Sequence, residues 1–311
     1  MAVVRIRASL SLGLLLFAGL FLTGTVSKGR KPVSPAPTVT KSHGAGATAQ
    51  GVPAPCDGIV VPAGGDALQQ ALAAAAAGAR LCLEPGVHTG GLTLEKSVIL
   101  VGTGGAAHTT IRGPGRFGVL RIDRDGLLVR LEGLTIEGGV ADAGGGLAVR
   151  GRGKVTIVDC VVRDNKAGMA GGGGIYARYG LLTVERTRFD GNVGRQGGAV
   201  LLDTAKAEFT RCTFANNSAD VAGAVRVTEG VDVQFKGCEF RLNKALGRGS
   251  TLWVSGIKSM EPKVEFHSSE ADGELDNGPE IPGTIRIQSS KVPTAWRTTQ
   301  GVRDGGGNTW R

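Results

Sequence analysis

The chain has 311 residues, 52 of them glycine, with 5% aromatic and 20% charged residues and a net charge of +9. Glycine at this level without a collagen period excludes a triple helix and points to many turns. The positive residues are scattered, and Arg5, Arg7, Lys28, Arg30, Lys31 and Lys41 fall near the N-terminus. Such a charge would favour acidic polysaccharide, lipopolysaccharide or nucleic acid. It equally describes a solvated surface, and no specific nucleic-acid partner is predicted.

Residues 1–27 read as a secretory signal peptide or an N-terminal anchor. Two arginines in MAVVRIRAS precede LSLGLLLFAGLFL, an apolar run too short to span a membrane comfortably. No A-x-A cleavage site follows, TGTVS (23–27) being the best candidate, and no cysteine lies close behind for lipid attachment. Left uncleaved, this segment is the predicted membrane contact. The expected location is secreted, periplasmic or at the cell surface. Residues 28–55 form a disordered linker rich in Pro, Ala, Gly, Ser and Thr. His43 lies there without a second ligand nearby, and no metal site is predicted.

Folded structure is expected from Cys56, with residues 56–96 as an N-terminal cap. DALQQALAAAAAGA (66–79) is the one convincing helix, with Asp66 as N-cap and Gly78 as stop. It would cover the open end of the first coil. Cys56 and Cys82 lie on the strands flanking it. In an oxidising compartment they could form a disulfide, worth roughly 3 kcal/mol by loop entropy.

Residues 97–275 are predicted to be parallel β-helix repeats. Four copies end at Asn165, Asn192, Asn217 and Asn243, spaced 27, 25 and 26 apart. In register, Val155, Ile157, Cys160 and Val162 align with Leu182, Val184, Thr187 and Phe189. Ala207, Phe209, Cys212 and Phe214 follow, then Val233, Phe235, Cys238 and Phe240. Alternation of period two describes half-buried strands. A repeat of this length describes one solenoid turn of three short strands and three bends. A weaker copy (127–139) precedes the four, and a decayed one (263–271) follows. The asparagines are predicted to stack as an internal amide ladder, Asn itself tolerating the left-handed bend. Cys160, Cys212 and Cys238 fill one inward column as small buried hydrophobes. Residues 276–311 hold a last strand, GTIRIQSS (283–290), and a C-terminal cap with Trp296 and Trp310.

FDGN (189–192), FANN (214–217) and FRLN (240–243), with GGAV (197–200) and AGAV (222–225), resemble the FxxN and GGA(I/V/L) repeats of polymorphic outer-membrane proteins. More broadly the chain resembles the pectate-lyase-like superfamily. That resemblance, with the columns, gives an all-β solenoid: a right-handed parallel β-helix of about eight coils with an N-terminal capping helix. No series of ten-residue alternating membrane strands follows the repeats.

The superfamily hosts lyases and hydrolases, so a catalytic site would need converging carboxylates, or Arg or Lys beside carboxylates holding Ca²⁺. Asp159, Asp164, Glu185, Asp190, Asp203 and Glu239 face outward but occupy different columns. No catalytic residue is assigned, and no cofactor is predicted beyond Ca²⁺ under the lyase reading. Ala148, Tyr176, Leu201, Arg226 and Trp253 form one outward column, with Arg178 in its neighbour. Tyr176 and Trp253 could stack on sugar rings, and Arg178 and Arg226 could pair with uronate or phosphate. Surface decoration, or packing under the C-terminal tail, explains the strip equally. Arg186 beside Arg211 and Asp159 is a second such place, also explained by ion pairing. Two functions stay open. One is an exported, non-enzymatic, adhesin-like or envelope protein that binds polysaccharide or cell-surface glycan. The other is a carbohydrate-active enzyme acting on acidic polysaccharide.

Overall fold

The computed structural model describes residues 56–256, 259–278 and 283–311. The predicted signal and linker, 1–27 and 28–55, lie outside them. Among the described residues no helix is long and apolar enough to cross a membrane.

The coil at 154–178 shows the plan. Lys154–Val158 joins the first sheet, Val161–Arg163 the second, Lys166–Gly171 a third and Ile175–Arg178 a fourth. All pairings are parallel, and the four sheets hold eleven, ten, five and eight strands respectively. The eight strands of the fourth, here the closing sheet, mark about eight coils. The third sheet is absent from the sequence expectation of three strands per coil. It is called the fin here, because none of its residues belongs to the main apolar core. Its strands, such as VGRQ (193–196) and SADV (218–221), mix small and charged residues and carry no apolar alternation.

Inside the coil, like sits on like. Val155 pairs with Leu182, then Ala207, Val233 and Val264 follow in the same column. Phe189, Phe214 and Phe240 stack at 4.8 and 4.6 Å, with planes 3° apart. Phe209, Phe235 and Phe266 form a second stack at 5.2 and 4.9 Å. The stacks meet edge to face, as at Phe209–Phe214, 5.4 Å, a geometry that suits ring quadrupoles. The supposedly decayed copy is a full coil, with Phe266 and Ser269 in the phenylalanine and cysteine columns.

The four asparagines are buried and stacked. Asn165 Nδ2 donates to Asn192 Oδ1 (3.1 Å), Asn192 Nδ2 to Asn217 Oδ1 (3.0 Å) and Asn217 Nδ2 to Asn243 Oδ1 (3.0 Å). Each Nδ2 also donates to a carbonyl of the preceding coil, as Asn217 does to Phe189 (3.1 Å). Each Oδ1 of the last three accepts a backbone N–H from the coil before. The left-handed bend, however, belongs to the residue ahead of each asparagine. Asp164, Gly191, Asn216 and Leu242 have φ of 53–64°. The ladder position demands an amide, while the residue before it demands tolerance of positive φ.

A second ladder runs along the preceding bend. Cys160 N–H donates to Thr187 Oγ1 (3.4 Å), Cys238 N–H to Ser269 Oγ (3.1 Å) and Ser269 N–H to Ser290 Oγ (3.1 Å). The thiols are therefore more than small hydrophobes. Cys160, Cys212 and Cys238 are buried, and their Sγ–H groups reach carbonyls of Val158 (3.2 Å), Val184 (3.5 Å) and Phe209 (3.3 Å). Burial pushes the Cys160 thiol up to about 12.

The ends are closed differently. Helix α1 is shorter than expected, Ala67–Ala74, and Asp66 makes no side-chain cap bond. The chain turns extended at Ala75, and Lys96 Nζ donates to the Ala73 and Ala75 carbonyls, both at 2.9 Å. That takes over the terminating role expected of Gly78. Cys56 and Cys82 form a disulfide, Cα–Cα 5.9 Å. At the far end Trp296 is buried on a short 3-10 turn, Thr294–Thr298, edge-on to Phe266 at 5.5 Å. Its Nε1 donates to Gly273 O (2.9 Å).

Asn217→Ala should leave the Asn192 amides and the Phe189 carbonyl short of partners, lowering stability by about 1–3 kcal/mol. A denaturation midpoint equal to wild type would reject the ladder's role. Leu242 is 62% exposed and held at φ 55°. Leu242→Gly should therefore stabilise the protein by about 1 kcal/mol, and a fall in melting temperature would refute this. In mass mapping of native protein, Cys56 and Cys82 should be oxidised, while Cys160, Cys212 and Cys238 resist alkylation until denaturant is added. Rapid labelling of the last three would contradict their placement.

Candidate functional site

The fin and the closing sheet meet at a sharp bend. Gly144, Gly172 and Gly197 make it with φ of 64–70°. A Cβ on Gly172 would lie 2.4 Å from the Ile175 carbonyl oxygen, so glycine is favoured there, although Ala222 holds the same bend in a later coil at φ 60°. The outer surface of the closing sheet thus lies beside the fin, and Ala143 of the fin packs with Tyr176 and Leu201 in a small apolar cluster apart from the core. Two separate recesses, each lined by both sheets, lie along the bend.

Near the N-terminal end, a recess of about 470 Å³ is lined by Phe117, Arg121, Asp142 and Arg150 among others. Phe117 is 59% exposed, and the Arg116 guanidinium lies 5.8 Å from its ring. Farther along, a recess of about 310 Å³ is lined by Ala170 and Gln196 from the fin side and Tyr176, Asp203, Arg226, Thr228 and Glu229 from the closing side. Arg121 and Arg226 share one column four coils apart, or roughly 19 Å at the inter-strand spacing.

The expected register holds for this column: Ala148, Tyr176, Leu201, Arg226 and Trp253 are successive partners. The expectation of an open aromatic strip does not. Tyr176 is 8% and Arg226 6% exposed, because the fin shelters the closing sheet. Tyr176 presents its hydroxyl to Asp203 Oδ2 (3.3 Å) rather than a free ring face. Burial, with Asp203 nearby, raises the Tyr176 pKa. Arg178 is exposed, donates to the same carboxylate at 3.2 Å and packs 4.9 Å over Tyr179. Asp203 also accepts from Thr204 and Thr228 hydroxyls (3.0 and 3.3 Å). It is a hub holding the wall together. Trp253 is half-buried under the Arg226 guanidinium, 3.6 Å from the ring centroid.

The remaining sequence candidates separate. Asp159 binds Arg186 in a two-point pair, 2.7 and 3.0 Å, and Arg186 also contacts Glu185 at 3.1 Å. Asp190 is paired with Arg188 at 2.8 Å, and Glu239 with Arg241 at 3.4 Å. These are surface ion pairs on the first and second sheets and their bends, away from the groove. Among the described residues no three His, Cys, Asp or Glu side chains converge as a metal site requires.

Comparison with known families matches residues 97–265 to the right-handed beta helix region. The chain belongs to that family. This β-helix is also 26% identical over 118 residues to the metabotropic glutamate receptor-like protein R of Dictyostelium discoideum. The likeness covers 38% of the chain and 7% of that protein, a share too small to carry the relative's activity across.

Phe117, Gln196 and Glu229 were missed in the sequence. Phe117 sits in GPGRFG (113–118), a glycine-rich segment outside the repeat. Gln196 belongs to the fin, whose short strands lack a periodic signal.

Proposed function

We propose that this β-helix is an exported, non-enzymatic surface or envelope protein whose outer groove binds a glycan chain. The observation that supports it best is the groove itself. We read two recesses on the same bend, about four coils apart, as its subsites; they are walled by aromatic, arginine and hydroxyl groups, with an exposed ring at Phe117 in the first. An extended polymer suits a long groove, and a ring face with hydrogen-bonding neighbours suits a sugar. Export is favoured by the apolar N-terminal run and by the Cys56–Cys82 disulfide, since such bonds persist in oxidising compartments.

The competing reading is a lyase or hydrolase on acidic polysaccharide. It needs a carboxylate or base free to act on substrate. Asp203 is instead engaged by Tyr176, Arg178, Thr204 and Thr228, and the other two lining carboxylates, Asp142 and Glu229, sit in separate recesses and do not converge.

The full-length protein should be titrated calorimetrically with neutral and acidic polysaccharides. The same mixtures should be followed for new reducing ends and ultraviolet-absorbing unsaturated products. Saturable binding without either product is expected. Sustained product formation would establish the enzyme instead, and no binding to any glycan would end the proposal.

A further inference from the structure

Arg226 combines three features that decoration does not explain. The residue is 6% exposed, yet among the described residues no carboxylate lies within salt-bridge distance of it. Nη1 donates to the Val227 carbonyl (2.6 Å) and, more weakly, to that of Trp253 (3.4 Å), while Nη2 donates to Ser255 Oγ (2.6 Å). Among the described residues the buried Nε–H finds no acceptor, and neither does the buried Nε1–H of Trp253, the ring on which the guanidinium lies. A guanidinium has five N–H donors. Three are assigned here, so Nε–H and one Nη2–H remain. Leaving a buried cation without a contacting counter-charge is costly, and the carboxylates of Glu229, Asp276 and Asp203 act on it only at longer range.

Nothing about the fold demands this arginine. Its column partners on either side are Leu201 and Trp253, so an apolar side chain satisfies the register. The guanidinium is nevertheless held flat by the indole and anchored by Ser255, and Arg226 lines the recess shared with Tyr176, Gln196 and Thr228. Preorganised donors of this kind bind oxyanions, carboxylate or tetrahedral, with little ordering cost.

We infer that Arg226 is an anion receptor in the groove wall, and that the glycan bound there carries carboxylate or sulfate groups. The inference rests on the glycan-binding reading and names its ligand class. Burial pushes the Arg226 pKa down to about 10, the neighbouring Glu229, Asp276 and Asp203 opposing that shift. The receptor therefore keeps its charge at neutral pH. Trp253 beneath it gives the site an intrinsic fluorescent reporter.

One polymer backbone in three charge states tests this: dextran, carboxymethyl-dextran and dextran sulfate, titrated into the full-length protein at low and high salt. The charged forms should bind at least about tenfold more tightly than dextran, the scale of one charge-assisted hydrogen bond. The advantage should shrink as salt rises. Carboxylate-only or sulfate-only preference identifies which anion is read. Arg226→Met should abolish the advantage while leaving the melting temperature equal or higher, because it removes a buried charge. Arg226→Lys should keep part of it. Should Arg226→Met fail to fold, Trp253→Phe takes its place. That variant keeps a platform under the guanidinium and loses the orphaned indole N–H, and it should retain the charge preference without the fluorescence change. Equal binding of all three polymers overturns the inference while leaving the glycan reading intact. Binding of none overturns the inference and leaves the glycan reading to the wider polysaccharide titration. A charge preference that survives in Arg226→Met assigns the effect to surface charge and also overturns the inference.

Discussion

Everything in this molecule follows from parallel stacking at a fixed spacing. A strand in the middle of the solenoid has neighbours one coil behind and one coil ahead, at about 4.8 Å. Side chains along a column therefore meet copies of themselves. Residues that attract their own kind are favoured: planar rings, amides that both donate and accept, and thiols or hydroxyls that reach a carbonyl. Residues that repel their own kind must alternate. Along the outer face of the second sheet, Arg112, Glu137 and Arg163 do so, with Glu137 bound to both neighbours at 2.7 Å. Burial opposes ionisation of Glu137, but the two guanidinium groups prevail and lower its pKa.

This constraint made the core legible in the sequence. The period, the register and the asparagine column could be read because each repeats the same chemistry at the same phase. The chain ends were readable for another reason, since a large aromatic such as Trp296 and an isolated alanine-rich helix stand out from a repeat. Less visible were positions where the backbone rather than the side chain repeats. The left-handed residue before each asparagine is Asp, Gly, Asn or Leu in successive coils, sharing a φ angle and no side-chain type.

The fin escaped for a related reason. A strand is recognised by what it buries, and these strands bury almost nothing in the core. Their order comes from backbone pairing with the coils above and below. The sequence therefore shows the column of the candidate strip but not the shelter the fin gives it. Tyr176 became a wall post tied to Asp203, and Arg226 a sheltered cation. The exposed ring that the groove does offer, Phe117, lies outside the repeat altogether.

One irregularity in the fin has a wider meaning. Ala141 pairs with Ala167, and Ala143 pairs with Gly171, so the second of these strands carries two more residues between its pairings than the first. The surplus falls at Gly168–Met169–Ala170, and by Ile175 the chain is back in register with Leu147. The core columns do not register the event at all. Length changes in the fin are thus uncoupled from the packing that keeps the protein folded, since extra residues extend into solvent. Residues can therefore be added to or removed from the fin at this point without shifting the columns of the interior. The length of the fin is set independently of the stability of the coil.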